Sequence, residues 1–146
     1  MVKILQVVGY KKSGKTTVVN QLILAAKAQG MTVSVIKHHG DKSGQEIDIP
    51  LKRDHITFMT SGADESIVEG YDYVHKLSKP KSLERIIAED VTSSPDLILI
   101  EGYKEADYDK LVLLRDSADY ELLELKNIIC TIKTEDISLT DFSQFL

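Results

Sequence analysis

Between the apolar run Ile4-Leu5-Gln6-Val7-Val8 and a long helix-forming stretch lies GYKKSGKTT, residues Gly9 to Thr17. Its Gly9-x4-Gly14-Lys15-Thr16 spacing is complete for a phosphate-binding loop of the form G-x-x-x-x-G-K-[ST]. Glycines at both ends let the backbone turn around an oxygen-rich group, so that successive N–H groups point at the phosphates. Lys15 supplies a cation for the β- and γ-phosphates, Thr16 a hydroxyl for Mg²⁺, and the following helix its favourable dipole. Thr17 adds a donor nearer the α-phosphate. Lys11 and Lys12 either reach phosphate or a neighbouring subunit, or face water.

Two further groups have the composition of a site. Glu101 closes the run Leu97-Ile98-Leu99-Ile100, and a carboxylate delivered from a buried strand can hold a water on Mg²⁺ or orient an attacking water. Lys37-His38-His39 ends another β-branched run; polar contact with a phosphate or partner competes there with a solvated loop. Adjacent histidines on an extended chain point to opposite sides and make a poor shared metal site. Asp41, Asp48 and Asp54 are all available to approach Mg²⁺ if the loop after His39 folds over a nucleotide.

These groups need elements to hold them. The patterns predict a strand over 2–8, then a helix over 15–30 with Val18, Leu22, Ala25 and Ala26 on one face and Gly30 as its left-handed stop. A strand over 31–37 follows, and a strand–helix–strand unit implies a parallel sheet. Residues 38–50 read as a polar loop, 54–63 as a short helix capped by Asp54, and 65–70 as a short strand. Ser82 caps a helix over 82–91 that presents Leu83, Ile86 and Ile87 on one face. Residues 96–102 have the form of a central parallel strand. Strands over 110–115 and 127–133 flank a helix around 118–125. The alternation gives a three-layer α/β domain, a mostly parallel central sheet flanked by helices, formed by residues 1–146 as a single unit. Ligands then sit beyond the carboxyl ends of the strands, where the segments after Val8, Lys37 and Ile100 should meet.

Composition sets the outer bounds. With 42% hydrophobic and 28% charged residues the chain is that of a folded globular protein. A net charge of -5 opposes general attraction to nucleic acid or an anionic membrane. No run approaches the ~20 apolar residues of a membrane span, and no secretory leader is read at the amino terminus. One cysteine, Cys130, set among Ile128, Ile129 and Ile132, reads as a buried strand thiol in a reducing, cytoplasmic setting.

Taken together, GYKKSGKTT, IKHHG, LKRDHITFMTSGAD, PDLILIEGYK and DKLVLLR, in that order, resemble the molybdopterin-guanine dinucleotide biosynthesis protein B (MobB) family over residues 2 to about 135. The resemblance implies a P-loop GTP-binding homodimer that uses Mg²⁺ and hydrolyses GTP slowly at most. It also implies a role assisting a separate MobA-type nucleotidyltransferase that attaches GMP to molybdopterin, with molybdoenzyme chaperones as further partners. On these motifs the nucleotide falls to Gly9, Lys12, Ser13, Gly14, Lys15, Thr16, Thr17, Lys37, His38 and Lys104. Any hydrolysis falls to Lys15 and Glu101, and the metal to Thr16, Asp54 and Glu101. Arg115 also lies on a family motif without a clear task. The segment TIKTED (131–136) is similar to a guanine-reading loop, with Asp136 as acceptor, and equally to an ordinary strand-to-helix turn. Two other readings compete: an ATP-dependent ligase or kinase of the dethiobiotin synthetase type, and a metal-delivery GTPase drawing on His38 and His39.

Overall fold

Strand β1, Lys3–Val8, is hydrogen-bonded on both sides, and the architecture is built outward from it. The computed structural model describes residues 1–39 and 54–146, which fall into two compact units, one from residues 1–39 and 91–146 and the other from 54–90. In the first unit helix α1 (Lys15–Ala28) leads to strand β2 (Val33–Lys37). In the second, helix α2 (Asp54–Thr60) precedes the antiparallel hairpin of β3 (Glu65–Glu69) and β4 (Val74–Ser78), and helix α3 (Leu83–Glu89) follows. The chain then re-enters the first unit as β5 (Leu97–Glu101), β6 (Asp109–Leu114), a 3-10 helix over Ser117–Glu124 and β7 (Ile128–Lys133). Two more 3-10 turns, Thr134–Leu139 and Phe142–Phe145, end it.

The five strands of the first unit are all parallel, in the order β2-β5-β1-β6-β7. On one face Leu5, Val7, Leu97, Leu99, Leu111 and Leu113 pack against Val18, Val19, Leu22 and Ala26 of α1, with Phe142 from the last turn. Val19 is buried and Ala25 only half-buried, so the buried face of α1 is rotated slightly from the expected one. Gly30 closes the helix: its N–H donates to Lys27 O while that of Met31 donates to Ala26 O, the paired bonds of a left-handed C-terminal cap. On the opposite face Val8, Val112 and Leu114 pack against Leu122 of the 3-10 helix that replaces the helix expected around 118–125.

That second face also carries two fully buried polar side chains, Gln6 and Lys110. They serve an unusual connection. Parallel strands usually need a crossover of a dozen residues or more, yet β5 reaches β6, on the far side of β1, through residues 102–108 alone. The registers make this feasible: Glu101 lies opposite Val7 and Asp109 opposite Leu5, so the chain retreats only about two residue rises, or ~7 Å, while crossing one strand. Without a helix the crossover needs other partners for its carbonyls. Gln6 Nε2 donates to Gly102 O and Tyr103 O, each at 2.8 Å, and Lys110 Nζ donates to Ala106 O and Tyr108 O. Burial drives the Lys110 ammonium below its ordinary value, with Asp107, Glu105 and Asp109 opposing that shift.

Two expectations need correction, and two elements were not expected. Cys130 is half-buried, because β7 is an edge strand with a bulge: the register skips Ile129 between Lys110–Ile128 and Leu111–Cys130, leaving Ile129 48% exposed. Strand β4 carries little apolar alternation and was not expected; its residues are mostly exposed. Asp54 is itself the first residue of α2. The 3-10 turn at 142–145 was likewise not expected, whereas the one at 134–139 follows β7 directly, as the strand-to-helix reading of TIKTED has it. Ser82 does cap α3, its Oγ accepting from the N–H of Arg85 at 3.2 Å. Among the described residues no helix is long and apolar enough to cross a membrane.

Replacing Gln6 with leucine roughly keeps the volume but removes the donor to two partly buried carbonyls of the crossover. We expect Gln6→Leu to lower the unfolding free energy by about 1–3 kcal/mol, measured by urea denaturation; an unchanged midpoint would show that the crossover does not depend on this amide.

Candidate functional site

The loop between β1 and α1 is set by two glycines. At Gly9 a Cβ would lie 2.4 Å from Ser13 Oγ and 3.2 Å from Leu113 Cβ. At Gly14, φ is 101°, a left-handed backbone that favours glycine, and a Cβ would fall 2.5 Å from the movable Ile137 Cδ1. Lys12 is also left-handed, at φ 64°. Such positive-φ residues build concavities from successive backbone N–H groups. The N–H of Ser13 turns back to Tyr10 O, while Ser13 Oγ is buried with no hydrogen-bond partner among the described residues. An orphaned hydroxyl inside a loop of this shape fits an oxygen-rich ligand.

Lys15, the first residue of α1, folds back across the loop, its Nζ donating to Gly9 O at 2.7 Å and Tyr10 O at 3.2 Å. Burial lowers its pKa; Glu101 opposes this, and Lys104, Lys37 and Arg115 push it further down. Four basic side chains therefore act on one another at this edge, with two buried carboxylates, Glu101 and Asp119, among them. Glu101 is 7% exposed, pairs in register with Val7 and Lys37, and lies 3.9 Å from Lys37 Nζ. The segments after β2 and β5 touch: His38 N–H donates to Glu101 O, and the rings of His38 and Tyr103 lie 4.5 Å apart.

The loop is tied down on its other side. Tyr10 donates its hydroxyl to Glu121, and its ring lies under Lys104 Nζ at 4.4 Å and near the Arg115 guanidinium at 5.5 Å. Arg115 forks onto buried Asp119 at 2.8 and 2.7 Å, and its remaining nitrogen donates to Lys11 O at 3.1 Å. Thr134 Oγ1 donates to Ser13 O at 2.8 Å, which brings the TIKTED segment against the loop. Beside it, at the carboxyl ends of β6 and β7, opens a cleft of about 910 Å³ lined by Asp116, Lys133, Asp136 and Phe145 among others.

Thus Gly9, Lys12, Ser13, Gly14 and Lys15 form the loop and helix start, with Thr16 and Thr17 exposed in the first turn. Lys37, His38, Glu101 and Lys104 gather beside them. Asp54 belongs to the second unit, where its carbonyl accepts from Thr57 Oγ1. Asp41 and Asp48 lie outside the described residues. Among the described residues no group of three His, Cys, Asp or Glu side chains is placed to hold a metal ion. The oxygen donors at the loop, Thr16 and Glu101, suit Mg²⁺, which is commonly held by one or two protein oxygens together with substrate phosphates.

The family model for "Molybdopterin guanine dinucleotide synthesis protein B" matches residues 4–134. The chain belongs to this family. It is 34% identical, over 94% of its length and 80% of the other chain, to a Bacillus subtilis protein named "Probable molybdopterin-guanine dinucleotide biosynthesis adapter protein". It is 32% identical to the Escherichia coli "Molybdopterin-guanine dinucleotide biosynthesis adapter protein", covering 86% of this chain and 73% of that one. The crystal structure of Bacillus subtilis MobB superposes with a TM-score of 0.71 at 32% identity, over 90% of this chain and 79% of that chain. These family members support the α/β fold with a mostly parallel sheet flanked by helices.

Sequence reasoning did not find the braces behind the loop: Tyr10 on Glu121, Arg115 on Asp119 and Lys11, and Thr134 on Ser13. Asp116 and Asp119 just after Arg115 were a usable signal, since a helix-capping aspartate followed by a second acid offers a basic side chain a local partner.

Hydrogen bonding to Arg115 holds the Asp119 carboxyl at about 2. A folded-state value below the ordinary one stabilises the fold above about pH 4, and that contribution disappears as the pH falls towards 2. Asp119→Asn should therefore lower the thermal midpoint at neutral pH, with the gap from wild type closing across this acidic window. A gap of constant size would mean that the charge is not what stabilises.

Proposed function

We propose that this protein is a GTP-binding accessory protein of molybdenum-cofactor maturation, assisting the conversion of molybdopterin to molybdopterin guanine dinucleotide. The observation that carries the reading is the loop from Gly9 to Thr17: strand before, helix after, Gly14 left-handed, Lys15 across the mouth, and an orphaned Ser13 hydroxyl within. Family membership supports the pathway assignment, because the related Bacillus subtilis and Escherichia coli proteins are named adapters of molybdopterin-guanine dinucleotide biosynthesis.

In this reading the loop amides and Lys15 bind the phosphates, aided by the dipole of the fourteen-residue α1. Lys12, Ser13 and Thr17 line the phosphate path, and Lys37, His38 and Lys104 extend the cationic edge around it. Thr16 and Glu101 would hold Mg²⁺; bound there, the ion would offset phosphate charge. Glu101 orients water for a slow hydrolysis. The preference for guanine follows from the family resemblance, with Asp136, among the residues lining the cleft at the carboxyl ends of β6 and β7, as acceptor for the N1–H and exocyclic amine of the base. A cytoplasmic homodimer acting beside a MobA-type nucleotidyltransferase, and with molybdoenzyme chaperones, completes the proposal.

Calorimetry with Mg²⁺ should show GTP binding more tightly than ATP; equal affinities would remove the guanine assignment. Lys15→Ala should weaken GTP by at least about tenfold, the loss of a charge-assisted contact, while the circular dichroism spectrum is retained. Glu101→Gln should keep GTP affinity and slow phosphate release, and a variant that hydrolyses GTP at the wild-type rate would remove Glu101 from that role.

A further inference from the structure

The phosphate loop of this chain is gripped from outside by a side chain that does not enter it. Arg115 stands at the carboxyl end of β6, and all three of its guanidinium nitrogens are engaged. Nε and Nη2 fork onto the two oxygens of Asp119 at 2.8 and 2.7 Å, and Nη1 donates to Lys11 O at 3.1 Å. Asp119 is fully buried and also accepts the backbone N–H of Arg115 at 2.9 Å, so the guanidinium is held from both ends of its own side chain. Asp116 caps the same 3-10 segment through the N–H of Ala118, which fixes where Asp119 stands.

The geometry at Lys11 gives this grip a consequence inside the loop. A carbonyl and the following N–H belong to one planar trans peptide and point in opposite directions. No peptide in the described chain is cis. Drawing Lys11 O to Arg115 therefore turns the N–H of Lys12 the other way, away from the guanidinium. Lys12 itself sits at φ 64°, a left-handed conformation that costs a lysine free energy unless its surroundings hold it. Tyr10, two residues earlier, is held by the same 3-10 segment through Glu121. The loop peptides from Tyr10 to Lys12 are thus set by contacts outside the loop.

We propose that Arg115 is a positioning residue for the phosphate loop: anchored by Asp119, it orients the peptide between Lys11 and Lys12 so that the Lys12 amide faces the phosphate. The inference deepens the nucleotide-binding reading and rests on it for its effect on affinity. It assigns Arg115 no contact with phosphate. A fork already shared between a buried carboxylate and a backbone carbonyl has its planar donors committed.

The test measures GTP and GDP affinity by calorimetry for the full-length chain with Arg115→Ala, Arg115→Lys and Asp119→Ala, alongside hydrogen exchange over residues 9–15 without nucleotide. Positioning predicts that both alanine variants lose about tenfold in affinity, the loss of one oriented amide contact, and equally for GTP and GDP. It also predicts that exchange at the Ser13 amide accelerates in both, while β1 and β6 stay protected. Arg115→Lys should not rescue, since one ammonium cannot hold Asp119 as a fork and reach Lys11 O together. Wild-type affinity and exchange in Arg115→Ala would overturn the proposal. So would a loss confined to GTP, rescue by lysine, or full affinity in Asp119→Ala, each of which marks a direct phosphate contact. If an alanine variant fails to fold by circular dichroism, Arg115→Lys decides through the same affinity and exchange readings. If wild type binds neither nucleotide, the nucleotide reading fails, and the exchange arm alone decides whether Arg115 holds the loop.

Discussion

The central constraint is that β1 is hydrogen-bonded in parallel to β5 on one side and β6 on the other. Parallel pairing puts every carboxyl end on the same edge. With β2 added beside β5, Lys37, Glu101 and Val7 fall level across three strands, and the loop that begins at Gly9 opens directly beyond them. No long-range folding of loops is needed to collect the polar groups; the ladder registers do it. The same pairing burdens the chain, because β5 and β6 must be connected across β1. Gln6 and Lys110, polar side chains in otherwise apolar strands, make that connection possible.

Electrostatics divides the molecule unevenly. The chain carries a net charge of -5, but Lys15 is surrounded by Lys37, Lys104 and Arg115. Like charges brought together cost free energy unless an anion joins them, and burial of Lys15 raises that cost. Glu101 offsets part of it, Asp119 neutralises Arg115, and the Tyr10 ring shields Lys104. What remains is a local excess of positive charge at the mouth of a backbone concavity, on a protein whose overall charge repels anions elsewhere.

Much of this was legible in the residues. Regular apolar periodicity gave α1 and the parallel strands, and the glycine–lysine–threonine spacing marked the loop, because both signals come from local constraints on backbone and burial. Ser82 was readable as a cap for the same reason. Where the chain departs from regular alternation, the reading failed. The bulge at Ile129 moved Cys130 to a half-buried position, β4 hides in a polar hairpin, and the 3-10 turn at 142–145 lacks a helical stripe. The reach of Arg115 to the loop backbone was invisible for a deeper reason. Lys11 and Arg115 lie 104 residues apart, and the acceptor is a backbone carbonyl, which leaves no trace in residue type.

The short crossover also bears on how this chain can vary in length. Residues 102–108 are an exception to the rule that loops absorb insertions readily. Their carbonyls are claimed at both ends by side chains rooted in β1 and β6, so one added residue would shift the chain out of step with Gln6 or with Lys110. Lys104, which sits over Tyr10, would move with it. The segment between Glu101 and Asp109 therefore behaves as a ruler of fixed length between two strands, and relatives that keep Gln6 and Lys110 should keep its residue count as well.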